Sequence, residues 1–108
     1  MIQDDKKYGI VFVTASSQTE AETIAEALVQ SHLAACVSIT PIRSIYTWKG
    51  EVHRDQEWQL VIKTELIQFD QITAKVHQLH SYEVPEVVAI PIAQGSESYL
   101  RWITEQVS

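Results

Sequence analysis

A chain of 108 residues, 45% hydrophobic, has room for one domain with one core, and its composition is that of an ordinary globular protein. Fourteen acidic against eight basic side chains give a net charge of −6, and the Lys and Arg residues are scattered; both features argue against nucleic acid or an anionic membrane surface as a partner. No run approaches 18 consecutive apolar residues, so no membrane span is expected.

The opening residues MIQDDKKYG are polar, carry no apolar export signal, and read as a flexible tail over 1–7. A lone cysteine, Cys36, excludes an internal disulfide framework and suits a reducing compartment, so the expected location is cytoplasmic. YGIVFVTA (8–15) is a nearly continuous apolar run and predicts a central strand buried on both faces. Ser17 and Glu20 have the spacing of a capping box, and Ala21, Ile24, Ala25 and Leu28 then form a helical stripe that ends near His32.

The next stretch, 34–64, predicts one long β-hairpin turning near Lys49-Gly50. On the outgoing arm Trp58, Leu60 and Ile62 alternate with Glu57, Gln59, Val61 and Lys63. The incoming arm is about twice the usual strand length, longer than the remaining strands can cover. Its tip, with Tyr46 and Trp48, therefore needs a partner, and the expected one is another copy of the chain, with Tyr46, Trp48 and Trp58 as interface anchors. A second helix is expected over 67–79, with Phe69, Ile72, Val76 and Leu79 on its apolar face. A fourth strand is expected over 84–92 and a last helix from Glu97 to about Val107, capped by Ser96.

The order is β-α-β-β-α-β plus a C-terminal helix, an α+β arrangement. Pro41 falls in the second strand, and Pro85 and Pro91 in the fourth. Proline cannot donate to a ladder, so those strands belong at the edges. The result is an antiparallel ferredoxin-like sheet of order 4-1-3-2 with both helices on one face.

Chemistry-bearing residues are sparse. His77 and His80, at i and i+3, have the spacing of a metal pair, although a solvated helix end is the commoner meaning of such histidines. His32 and Cys36 invite a metal reading as well, but Cys36 reads better as a small buried hydrophobe. His80, Tyr82, Glu83 and Glu86 place two carboxylates, an imidazole and a phenol within seven residues. That set suits cation binding or proton transfer, and equally a loop that satisfies its own backbone. There is no nucleophile elbow and no glycine-rich phosphate loop.

The runs LAACVSITPIRSIYTWKGEV, EWQLVIKT, HSYEVPEVVAIPI and YLRWI, in that order and spacing, closely resemble the CutA divalent-cation tolerance proteins over residues 10–107. The resemblance implies a ferredoxin-like fold, a homotrimer similar to the PII signalling proteins, and a non-enzymatic role in copper and other divalent-cation tolerance. It further implies that Trp48, Lys63, Thr64, Tyr82, Glu83, Pro85 and Glu86 line or support clefts between subunits, and that His80 is a candidate metal ligand. Val13 and Leu79 stand where some relatives carry a cysteine and a second histidine. Any Cu(II) is therefore expected to bind weakly, through His80 with Glu83 or Glu86, and not to be needed for folding. Two other readings stay open: a scaffold trimer for a protein partner, and an enzyme using the His80–Glu86 cluster.

Overall fold

The computed structural model describes residues 7–108. Of the expected tail, 1–6 lie outside the described residues, whereas Lys7 is tied in. Its carbonyl accepts the Leu66 N–H at 2.8 Å, and its ammonium lies 3.5 Å from Glu65.

Four strands, β1 (Tyr8–Ala15), β2 (Cys36–Trp48), β3 (Glu51–Glu65) and β4 (Val87–Pro91), form one antiparallel sheet in the order β2-β3-β1-β4. This is the expected 4-1-3-2 order read from its other edge. Prolines sit where their missing N–H does least harm: Pro41 in edge strand β2, and Pro91 at the last position of edge strand β4.

Helices α1 (Gln18–Gln30) and α2 (Phe69–Leu79) cover one face of the sheet. Ala21, Ile24, Ala25 and Leu28 of α1 and Ile72 and Val76 of α2 are buried against Val11, Val13 and Ala15 of β1 and Leu60 and Ile62 of β3. Ser17 caps α1 by accepting the Glu20 N–H at 3.0 Å. A third helix, α3 (Glu97–Gln106), packs Ile103 and Leu100 against Tyr8 and Ala35 at one end of the sheet. Thr104 donates to Glu65 at 2.7 Å, which leaves the Tyr8 hydroxyl to donate to Thr104, also at 2.7 Å.

Two expectations need correction. The fourth strand starts at Val87 instead of Val84, because the chain from Ser81 to Glu86 forms an irregular loop around Pro85. The second helix is preceded by a 3-10 turn at Leu66–Gln68, so α2 proper starts at Phe69. Trp58, expected as an interface anchor, is partly buried and packs against the core, since it shares its strand face with Leu60 and Ile62.

The hairpin determines the shape. β1 ends at Ala15 opposite Trp58, so Glu51–Glu57 of β3 has only β2 beside it. Seven residues at about 3.4 Å each carry the arm ~24 Å past the sheet, and the molecule measures 47 × 26 × 22 Å. Lys49 and Gly50, with φ of 51° and 81°, make the two-residue turn. Left-handed conformation at both positions fits the twist of a tight hairpin.

Candidate functional site

The arm forms one wall of a cleft of ≈ 800 Å³ that runs from the end of β1 towards the hairpin turn. The opposite wall is the 81–86 loop between α2 and β4. The hairpin contributes Tyr46, Trp48, Lys49 and Glu57, the loop contributes Ser81, Tyr82, Glu83, Val84 and Glu86, and Thr14 comes from the end of β1.

His80 holds the loop in place. It ends α2 with extended backbone, its own N–H donating to the Val76 carbonyl, and its side chain is fully buried. The Thr14 carbonyl can only accept, so the ring Nε2 at 2.6 Å must carry the proton; Nδ1 is then the acceptor for the Tyr82 N–H at 3.0 Å. Glu20 makes a second tie. One carboxylate oxygen accepts from the Ser16 N–H and hydroxyl, and the other accepts the Ser81 N–H at 2.7 Å. Burial raises the Glu20 pKa, but these donated hydrogen bonds outweigh it and leave the carboxyl below its ordinary value. The capping-box residue thus reaches past its own helix and secures the loop.

The loop is anchored to the arm by Tyr82, whose hydroxyl donates to Glu57 at 2.6 Å. Burial, reinforced by the bond to Glu57 and by that carboxylate's charge, pushes the phenol well up. Two residues along β3, Asp55 accepts the Tyr46 hydroxyl, and this hydrogen bond is the largest cause of the Tyr46 phenol being pushed up to about 12. Glu86 is exposed, and partial shielding of its carboxyl together with the nearby charge of Glu57 raises its pKa. On the hairpin side, Lys49 Nζ lies 5.6 Å above the centre of the Trp48 ring.

Of the residues singled out from the sequence, Trp48, Tyr82, Glu83 and Glu86 meet in this cleft. Pro85 is buried within the loop rather than lining the cleft. Lys63 and Thr64 lie towards the other end of β3, opposite Ile10 and Gly9. There Thr64 is fully buried and donates to the Leu33 carbonyl at 2.6 Å, which makes it part of the framework. Tyr46 and Trp48 are both 38% exposed on the arm.

As a metal ligand His80 does not fit, because both ring nitrogens are engaged within the chain. His77 is exposed and cannot join it in a pair. The other sequence pair separates as well: His32 Nδ1 contacts the Gln106 carbonyl at 3.2 Å, while Cys36, half-buried rather than buried, lies 3.6 Å from the Tyr99 hydroxyl. Among the described residues no three His, Cys, Asp or Glu side chains converge on a common point.

Sequence reasoning missed Glu57, Thr14, Asp55 and Glu20 as site residues. Glu57 lies in the polar half of the β3 alternation, so periodicity marks it as solvated, and only the loop folded over it brings it to 5% exposure. The one signal in the sequence was register. Tyr46 pairs with His53, placing Asp55 and Glu57 on the same strand face at the next two positions towards the body.

Comparison with known proteins places the fold and the sequence in one family. The family model described as CutA1 divalent ion tolerance protein matches residues 9–106. The divalent-cation tolerance protein CutA of Thermus thermophilus is 50% identical over 97 residues, covering 89% of this chain and 94% of that one. The chloroplastic protein CutA of Arabidopsis thaliana is 43% identical over 87% of this chain, which spans about half (52%) of that longer protein. Among solved structures, a protein described as the periplasmic divalent cation tolerance protein CutA from Archaeoglobus fulgidus superposes with a TM-score of 0.92 at 39% identity, over 94% of this chain and 99% of that one. The chain belongs to the CutA1 divalent ion tolerance protein family.

Proposed function

We propose that this protein acts in divalent-cation tolerance as a cytoplasmic homotrimer, without catalysing a reaction, and that it binds a small ligand in the cleft between the hairpin arm and the 81–86 loop. The observation that carries the reading is the arm. Ile45 is 70% and Val52 60% exposed on a paired stretch with no body behind it. A second apolar surface, Val88 and Ile90 of edge strand β4, is about half exposed on the sheet face away from α1 and α2. A closed ring of copies covers both without leaving an open edge. Each cleft runs along an arm, so in such a ring it borders a neighbouring subunit.

Copper enters this reading only as a weakly held ion. With His80 committed to the loop, exposed carboxylates such as Glu83 and Glu86 are what remain in the cleft. Sites of that kind bind Cu(II) with a dissociation constant on the order of micromolar or poorer. Sedimentation equilibrium at micromolar protein should give three times the chain mass, and calorimetric titration with Cu(II) should give weak binding that persists in Cys36→Ser. A stable monomer would overturn the assembly, and sub-nanomolar copper binding would overturn the account of the site.

A further inference from the structure

We propose that His80 is a proton-operated latch on the 81–86 loop. Neutral, its ring accepts the Tyr82 N–H and holds that loop in place as a wall of the cleft. Protonated, it turns to the Glu20 carboxylate and lets the Tyr82 backbone go. The latch is a property of the loop itself and works whichever ligand the cleft takes.

The two ring nitrogens divide the work. Nε2 donates to the Thr14 carbonyl at 2.6 Å, a bond that the neutral and the protonated ring can both make. Nδ1 accepts the Tyr82 N–H at 3.0 Å, which only the neutral ring can do. A proton added at Nδ1 sets two N–H groups against each other, and the Tyr82 amide loses its acceptor. An acceptor for the new N–H is already in place. The Glu20 oxygen that holds the Ser81 N–H lies 4.0 Å from Nδ1, and the donors from Ser16 and Ser81 favour the ionised carboxylate. A displacement of about 1 Å turns that gap into a charge-assisted hydrogen bond.

The side chain is fully buried, so an imidazolium there needs compensation from its surroundings. The elements packed around it supply negative potential. From α1 comes Glu20, the carboxylate within ion-pair distance among the described residues. From β1 comes the Thr14 carbonyl. His80 itself closes the C-terminal end of α2, where the helix dipole favours a cation, and His77, one turn back, is exposed. From the loop the Tyr82 ring stands 4.7 Å away, and behind it Glu57 of β3 accepts the phenol hydroxyl. Glu83 and Glu86, further along the loop, are exposed carboxylates. The release is local: Ser81 stays bonded to Glu20 and the Tyr82 hydroxyl to Glu57, so the freed piece is the Tyr82 backbone between two fixed points. Turning it moves the part of the cleft wall that Tyr82 and Glu83 form.

Nitrogen-15 NMR of the intact protein, taken from about pH 8 down to about pH 5, the window in which histidines change charge, tests this. At the alkaline end the His80 ring should show the Nε2–H tautomer. On acidification the ring should take up one proton. The protection factor of the Tyr82 amide, corrected for the pH dependence of intrinsic exchange, should fall about tenfold in the same step, as for loss of one hydrogen bond. The amide of Leu60, fully buried in the core, should keep its protection. His80→Gln retains a donor for the Thr14 carbonyl and has nothing that titrates, so the Tyr82 step should vanish; His77→Gln should keep it. Glu20→Gln removes the charge that receives the protonated ring and should move the step to lower pH. Circular dichroism on each variant checks the fold, and if one fails to fold the parent titration still decides. A ring that stays neutral throughout the window, Tyr82 protection unchanged while the ring titrates, or a step that survives His80→Gln would overturn the proposal. So would a step that Glu20→Gln leaves where it is.

Discussion

The two halves of β3 are one continuous strand with opposite fates. At the body end Leu60 and Ile62 are fully buried under α1 and α2, and Thr64 is locked to the Leu33 carbonyl. At the arm end Val52 is 60% exposed, and only β2 lies alongside. Period-2 patterning reports which face a residue is on; it carries no information on what covers that face. In this chain the cover is supplied by its own helices at one end and, in the proposed trimer, by other copies at the other. The cleft starts at the changeover between the two regimes and runs along the arm.

The contrast breaks most visibly through cavity formation. Leu60→Ala should lower the stability of the dissociated chain by about 2–5 kcal/mol, the range for emptying a fully buried leucine site. Val52→Ala, measured in urea at protein concentrations low enough to dissociate the oligomer, should change it by less than about 0.5 kcal/mol. At high concentration the same Val52 variant should show a reduced assembly mass. Equal effects at both positions would mean the arm is packed within one chain.

The loop separates support from chemistry in the same way. His80→Ala leaves the Thr14 carbonyl and the Tyr82 N–H without partners, and about 1–3 kcal/mol of stability should be lost. Hydrogen exchange should speed up first over 81–86. His77→Ala, at an exposed position on the same helix end, should be neutral within about 0.5 kcal/mol. A His80 variant that kept a protected loop would return this residue to the pool of available metal ligands.

Smaller still is the turn at the far tip. Lys49 carries a side chain through left-handed backbone, where asparagine is better tolerated. Lys49→Asn should add a few tenths of a kcal/mol, whereas Gly50→Ala, at φ 81°, should cost about 1 kcal/mol. Equilibrium urea melts on the two variants read both signs.

The sheet order was legible because proline placement, strand count and helix stripes all pointed the same way. The hairpin turn was legible because Lys49-Gly50 interrupts two extended runs. The cleft was only half legible. Tyr82, Glu83 and Glu86 are neighbours in sequence, and Trp48 stands out by type, but Glu57 and Thr14 join them through the path of a loop that local patterning does not encode. His80 was read as a ligand because the sequence shows an imidazole and not the carbonyl and N–H that occupy it.

The smallest effect concerns pH and again contrasts the two sides of the loop, its tie to the body and its face on the cleft. Glu20, bonded to Ser16 and Ser81, has a folded pKa below its unfolded value near 4.5. Its ionised form is therefore favoured by folding. The resulting stability is fully present above the unfolded value and is lost as pH falls through the folded one. Glu86 runs the other way. Partial shielding and the charge of Glu57 raise its folded pKa, so its ionised form is disfavoured by folding; its contribution is present below the unfolded value and lost as pH rises through the folded one. Between pH 6 and pH 3, Glu20→Gln should flatten the acid loss of stability relative to the parent, and Glu86→Gln should steepen it. Thermal melts of both variants across that window provide the measurement. If the two variants shift the profile in the same direction, one of the two carboxylates is not in the environment described for it.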